Sequence, residues 1–364
     1  MSPETSSKVL ENYAFLIIAG VPSGTQFGID LHSFYVGDNF RGVKLIPPGM
    51  HFVYCASQGA YGDAAPRVGF PHYFKRGEIV VREWDYSTEE LRFRSHQNID
   101  TELNNIRENI VSLARYMAAY DHEANAKWSK ISNITEKTVQ TLSPDSGVVR
   151  NTVDLLSCSD SDRPRGNDQS TSNTRHPVRM RASLNEDDLL PHLKPVSGSI
   201  PNFTLLPPRC PKDASPAEIS KHYIDCIDAI DSLLQGREQD IYEEIQFSFI
   251  LFLCGHSIDG LSHWRKMLLL FSYSEKAAEK YRNFYKSYLV LLQFHLPELP
   301  IELVEQSNSN TVYLDVRRLI LNCYQVGITS AAHALENCLK NTLLWTFDDL
   351  FMEDSDEMPV VVEL

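Results

Sequence analysis

The sequence lacks two features that secreted and membrane proteins usually have, paired cysteines and long hydrophobic runs. Its seven cysteines are an odd number, and none of them forms a C-x-x-C pair. A disulfide framework and a zinc ribbon are therefore not expected. The long apolar runs, residues 13–21 and 247–254, are far shorter than the ~20 residues that cross a bilayer. We expect a protein of the cytoplasm and nucleus with no signal peptide and no membrane anchor.

The sequence also lacks the common catalytic motifs. It contains no G-x-S-x-G nucleophile elbow and no G-x-x-x-x-G-K phosphate loop. One alternative stays open, because Asp30, His32 and His51 lie on neighbouring predicted β elements and are suitable metal ligands. The segment after His51 lacks the H-x-H pattern of cupins, which favours structural histidines. We expect a protein that is not an enzyme and needs no cofactor or metal, with a cupin-like metal-dependent enzyme as the alternative.

Positive charge is scarce. The chain has 34 basic and 48 acidic residues, which gives a net charge of -14. Residues 216–364 carry most of this excess, with 11 basic and 23 acidic residues. Such a chain repels nucleic acid and anionic lipid, so we expect neither as a direct partner.

The patterning predicts an α+β protein with two domains. Residues 1–156 contain short β-rich pieces separated by glycine and proline turns, followed by helices, which is typical of a sandwich or open barrel. Residues 157–175 contain no aliphatic side chain and are predicted to be disordered. Residues 176–214 are predicted to be an extended linker, residues 215–347 a superhelical all-α domain, and residues 348–364 an acidic tail.

Several local patterns give more specific predictions. Apolar alternation on both sides of a Lys-Arg-Gly turn predicts a β-hairpin over residues 67–84. Continuous helical periodicity predicts single helices over residues 123–142 and 275–295. Ser215 and Glu218 flank Pro216 in a capping-box arrangement that predicts a helix start.

Polar residues in the helical part and the loop have simpler interpretations. The paired acids Glu243 and Glu244 are interpreted as a solvated helix face. Ser157, Ser159 and Ser161 stand close to Asp160 and Asp162, which suits acid-directed kinases, so we predict them as candidate phosphorylation sites.

The C-terminal end combines acids with a β-branched run. Residues 348–357 contain six acids and no base, and Val360, Val361, Val362, Glu363 and Leu364 follow. This composition favours a strand that pairs with the sheet of another protein.

Long blocks of the sequence resemble the A-one cistron splicing factor (AAR2) family. Three of these blocks lie in the N-terminal half, namely 27–30, 40–52 and 66–70. The others lie in the C-terminal half, namely 215–219, 244–249, 263–266 and the closing residues 359–364. The resemblance extends from about residue 13 to the C-terminus.

The resemblance implies an assembly chaperone of the U5 small nuclear ribonucleoprotein (snRNP). It implies a VHS-like C-terminal domain and binding to the large spliceosomal scaffold protein at its RNase-H-like and Jab/MPN-like domains. It further implies exclusion of the helicase, assembly in the cytoplasm, release in the nucleus by phosphorylation, and a tail strand that bridges the two scaffold domains. We add a monomeric free state and, as the candidate interface on the helical domain, His263, Trp264, Arg265 and Lys266.

Overall fold

The N-terminal half forms two facing β-sheets in a computed structural model that describes residues 11–59, 62–93, 99–159, 193–208, 215–348 and 350. The strands are β1 (Ala14–Ala19), β2 (Gln26–Ile29), β3 (His32–Tyr35), β4 (Gly42–Ile46), β5 (Gly49–Ala56), β6 (Val68–Phe74), β7 (Ile79–Asp85), β8 (Glu90–Phe93), β9 (Ala118–Ala119), β10 (Val149–Arg150), β11 (Leu155–Ser157) and β12 (Leu193–Pro195). Sheet one has the order β8-β7-β1-β4-β9, and sheet two has the order β10-β6-β5-β2-β3.

The alternation of side chains explains how the layers stack. In β1, Leu16 and Ile18 face sheet two, whereas Phe15 and Ile17 contact the first helix. In β5, Val53 and its inward-facing neighbours fill the sandwich, while the side chains of the opposite face join the helical core. The order of the layers is therefore helix, sheet one, sheet two, helical domain. This arrangement confirms a two-domain α+β fold.

The predicted hairpin over residues 67–84 is wrong. Strand β6 pairs with β5 and β10 in sheet two, whereas β7 pairs with β1 and β8 in sheet one. The turn at Lys75–Glu78 therefore carries the chain from one sheet to the other. A period-two pattern identifies the two faces of a strand but not its neighbour, because both sheets of a sandwich offer an apolar inner face.

The helices are α1 (Ile99–Leu113), α2 (His122–Ile131), α3 (Glu136–Leu142), α4 (Pro216–Ile224), α5 (Ile227–Leu234), α6 (Glu238–Leu253), α7 (Ile258–Ser272), α8 (Glu275–Lys280), α9 (Arg282–His295), α10 (Ile301–Val304), α11 (Thr311–Gln325) and α12 (Thr329–Thr342). The capping box is confirmed, because the Ser215 backbone N–H donates to Glu218 Oε2 at 2.8 Å and the Glu218 N–H donates to Ser215 Oγ at 3.4 Å. Among the described residues, no helix is both long and apolar enough to span a bilayer.

Two helices that were predicted to be continuous are each divided. The stretch 123–142 breaks between α2 and α3, where Thr135 caps α3 by accepting a hydrogen bond from the Thr138 N–H. The stretch 275–295 breaks at Tyr281, between α8 and α9. The apolar periodicity continues through both breaks, so the sequence pattern does not reveal them.

The predicted disordered loop begins too early. Ser157 is the last residue of β11, which pairs antiparallel with β12. Residues 158 and 159 follow the strand without regular secondary structure, and residues 160–175 lie outside the described residues. The backbone hydrogen bonds of the strand pair order this segment, although Leu155 and Leu156 remain about half exposed.

Candidate functional site

A buried polar cluster joins sheet two to the segment between β9 and α2. Asp30 lies in the turn after β2 with a left-handed φ of 55° and is 3% exposed. Its carboxylate accepts the Tyr120 hydroxyl at 2.7 Å and the Phe52 backbone N–H at 2.8 Å, and it lies 2.6 Å from His51 Nδ1. Burial raises the pKa of Tyr120 and the Asp30 charge raises it further, so the phenol remains a hydrogen-bond donor.

This cluster does not support the metal-site alternative. The second ring nitrogen of His51 lies 2.9 Å from the Pro47 carbonyl, so both nitrogens have partners. His32 is half exposed, and its ring contacts Asp121 at 3.9 Å instead of joining Asp30. Across the described ranges, no three His, Cys, Asp or Glu side chains are placed to hold a metal ion. The dyad of Asp30 and His51 is explained by hydrogen bonding within the core.

The two acids predicted as a solvated face are buried. Glu243 and Glu244 on α6 are 3% and 2% exposed. Glu243 accepts hydrogen bonds from the Thr135 N–H at 3.0 Å and from the Thr138 hydroxyl at 2.5 Å. Their next polar neighbour, Gln246, accepts the Asn133 N–H at 2.8 Å. The solvated-face prediction is therefore wrong. Glu243 and Gln246 bind the segment between α2 and α3 and the first turn of α3.

Glu244 binds the incoming linker in the same way. Its carboxylate accepts the backbone N–H and the hydroxyl of Thr204, each at 2.7 Å, and lies 2.8 Å from His263 Nε2. Burial alone would raise the pKa of Glu244, but His263 and Thr204 hold that pKa below its usual value. We call Glu243, Glu244 and Gln246 the α6 clasp. It fixes both the N-terminal domain and the linker to one helix.

A clue to the α6 clasp exists in the sequence. The residues after Gln246 on α6 are apolar with one exception, Ser248. A helix that is apolar on all sides is buried, so polar residues within it need partners. The sequence does not reveal Thr204 and Thr135 as partners, because they lie 40 and 108 residues away along the chain from the acids that they bind.

The predicted interface block is divided between core and surface. Trp264 is fully buried and donates from Nε1 to His295 Nδ1 at 3.2 Å, and His263 stacks on Phe203 at a centroid distance of 4.3 Å. These two side chains cannot present a docking face, because both are covered by the domain itself. Arg265 and Lys266 are exposed. Of the four predicted interface residues, only these two are therefore available to a partner. Contact with a partner at Arg265 and Lys266 remains a prediction.

The remaining predicted sites lie at the edges of the described chain. Ser157 is exposed on the small strand pair and Ser159 is also exposed, whereas Ser161 lies outside the described residues. The tail residues Val360, Val361, Val362, Glu363 and Leu364 also lie outside them. Trp345 lies three residues before the tail; it is buried and donates from Nε1 to the Val304 carbonyl at 2.8 Å. Leu350 is also buried, so the start of the tail is attached to the helical domain.

Comparison with known proteins matches both halves of the chain. A family model described as the AAR2 N-terminal domain matches residues 12–144, and one described as the AAR2 C-terminal repeat region matches residues 203–348. Among proteins named Protein AAR2 homolog, the mouse protein is 31% identical and the human protein 30%, each over 100% of this chain and 97% of the relative. The relative from Caenorhabditis elegans is 27% identical over 94% of each chain.

Proposed function

Because the chain belongs to the AAR2 family, we propose that it is a splicing-related assembly factor of the U5 snRNP rather than an enzyme. The observation that carries the proposal is the presence of both family domains in one chain. The proposed partner is the large spliceosomal scaffold protein, bound through its RNase-H-like and Jab/MPN-like domains. In this proposal the protein is a monomer when free, with a VHS-like C-terminal domain. It assembles with the scaffold in the cytoplasm and leaves it in the nucleus.

The tail is the proposed bridge between the two scaffold domains. Fourteen residues follow Leu350, and an extended chain spans at most about 3.3–3.6 Å per residue, which gives a reach of about 46–50 Å. Val360, Val362 and Leu364 share one face of an extended strand. Backbone hydrogen bonds to a sheet edge supply affinity, and pockets for alternate side chains supply specificity. The bound tail and scaffold together exclude the helicase.

Charge supports the proposed partner class. The net charge of -12 over residues 216–364 complements the basic, RNA-facing surface of an RNA-binding scaffold. The tail sequence and the body both contribute acids, so the attraction extends over a wide surface. Phosphorylation at Ser157, Ser159 or Ser161 would add about -1.5 to -2 charges per site and is the proposed release step.

Affinity measurement with a tail variant tests this function. Full-length protein should bind the recombinant scaffold fragment, and deletion of residues 358–364 should weaken binding by more than tenfold, or about 1.4 kcal/mol. The matched control replaces the same residues with glycine and serine at equal length and keeps the acidic segment. Val362→Asp should weaken binding more than Val361→Asp, because position 362 shares the apolar face of the strand.

Two outcomes would contradict parts of the proposal. If the full-length protein does not bind the scaffold, the function itself is wrong. If the deletion binds as tightly as the full chain, the tail mechanism is wrong while the function stands.

A further inference from the structure

Arg82 is a buried cation held between two aromatic rings at the edge of the β-sandwich. The residue lies on β7 and is 3% exposed. The centre of its guanidinium is 3.4 Å from the ring centroid of Phe93 and 4.4 Å from that of Phe70. Phe93 is the cross-strand neighbour of Arg82 in sheet one, and Phe70 belongs to sheet two. The guanidinium therefore contacts both rings, and its N–H groups are the part that can bind a ligand.

The described residues place no carboxylate against this guanidinium. Its one hydrogen bond is donated to the Val81 carbonyl at 3.3 Å. The acids around it have other partners. Glu78, whose charge also acts on Arg82, is hydrogen-bonded to His72 and the Lys75 N–H. Glu90 is bound by Arg150, and Asp85 pairs with Arg92 at 2.9 Å. Residues 94–98, which follow β8, contain no acid in their sequence. Burial of the unpaired charge lowers the pKa of Arg82 to about 10.

An open cleft of about 370 Å³ gives access to Arg82 between β8 and the turn before β10. Arg92, Arg150 and Glu90 line the same cleft. The two rim arginines are already paired, Arg92 with Asp85 at 2.9 Å and Arg150 with both Glu90 and Asp154. The turn contributes Gly147, whose φ of 69° places its backbone in the left-handed region. The cleft therefore combines a cavity with a buried cation, Arg82, against which the described residues place no carboxylate. Burying a charge without a partner costs several kcal/mol, which a packing role for Arg82 does not explain.

We propose that this cleft binds an oxyanion, a phosphate or carboxylate group, through the free edge of the Arg82 guanidinium. The planar guanidinium donates two parallel hydrogen bonds to such a group. Phe93 and Phe70 hold the guanidinium in one plane, so little freedom is lost when the anion binds. The low local dielectric strengthens the ion pair between the guanidinium and the oxyanion.

Nuclear magnetic resonance of the full chain with ¹⁵N-labelled arginine tests the proposal. The probes are sodium phosphate and sodium acetate, each compared with sodium chloride at equal ionic strength. The Nε–Hε signal of Arg82, assigned by its loss in Arg82→Lys, should shift saturably with phosphate, acetate or both. Stronger binding of phosphate indicates a phosphorylated ligand, whereas equal binding indicates a carboxylate.

The variants separate recognition from nonspecific charge effects. Arg82→Lys keeps the charge but loses the paired donors, so the phosphate dissociation constant, followed through the Arg92 and Arg150 signals, should rise at least tenfold. Arg41 is exposed and lies between β3 and β4, so Arg41→Lys should leave the phosphate dissociation constant unchanged. The proposal is overturned if the Arg82 signal of the wild-type protein shifts linearly without saturation, or shifts equally with chloride. This wild-type result is decisive even if Arg82→Lys does not fold.

Discussion

Replacing Glu244 with alanine should destabilise the whole protein. The substitution removes the acceptor of two 2.7 Å hydrogen bonds from Thr204 and the partner of His263. The Thr204 N–H, the Thr204 hydroxyl and the His263 ring then lose their acceptor inside the protein. Hydrogen bonds to a charged group contribute about 1.5–3 kcal/mol each, so the two bonds from Thr204 alone account for most of the expected loss. We therefore expect the free energy of unfolding to fall by about 3–5 kcal/mol.

Urea unfolding followed by circular dichroism measures this loss. Glu279→Ala, at an exposed position on α8, is the matched control and should change stability by less than about 0.5 kcal/mol. A double-mutant cycle with Thr204→Ala should give a coupling of about 1.5–3 kcal/mol. Because the Glu244 pKa is lowered on folding, its contribution is present above about pH 4.5 and is lost as the pH falls through the folded value. A loss below 1 kcal/mol in Glu244→Ala would refute the α6 clasp.

The other predictions concern a histidine, a glycine and the scaffold contact. Burial lowers the pKa of His295 to about 3, so the unfolded state takes up a proton at a higher pH than the folded state does. The free energy of unfolding should therefore fall by up to about 1.4 kcal/mol per pH unit as the pH drops from about 6.5 towards 3. An imidazole ring that titrates near pH 6.5 by NMR would contradict this prediction. A Cβ on Gly42, whose φ is 124°, would lie 1.8 Å from the Leu16 carbonyl oxygen, so Gly42→Ala should cost more than about 3 kcal/mol. Gly236→Ala, with φ of 70° and open space around it, should cost about 1 kcal/mol, and equal losses in thermal unfolding would argue against the clash. Scaffold affinity should weaken as salt is raised, and a salt-independent dissociation constant would remove the electrostatic part of the proposed function.

The sequence pattern is sufficient for the elements and their faces, because these depend on residues close in the chain. Alternation correctly assigns Val80 and Trp84 to one face of β7 and Ile79 and Val81 to the other. The capping box at Ser215 is likewise a local feature. Pairing partners are not local, which explains why the hairpin over residues 67–84 is wrong although both of its strands exist.

The functional residues show the same contrast between features that depend on nearby residues and features that depend on distant ones. The predicted interface block is a continuous segment of the sequence, yet consecutive helical residues point in different directions. Trp264 therefore enters the core while Arg265 remains at the surface. Glu243 and Glu244 resemble an ordinary charged face because their partners, Thr135 and Thr204, come from distant parts of the chain. Burial of a charge is decided by tertiary packing, which a single sequence does not display.

The junction between the halves is part of the core rather than a surface contact. Met50, Phe52 and Tyr54 on β5 belong to the same buried cluster as Trp128 and the helices of the C-terminal domain. Full burial of a large apolar side chain contributes about 1.5–3 kcal/mol, so these three strand residues together contribute about 5–9 kcal/mol. That sum is comparable with the whole stability of a typical domain, about 5–15 kcal/mol. The two domains therefore cannot separate without losing much of the free energy of folding. In the proposed function, the scaffold therefore meets the two domains as one unit, and contact with its second domain is assigned to the tail beyond Leu350.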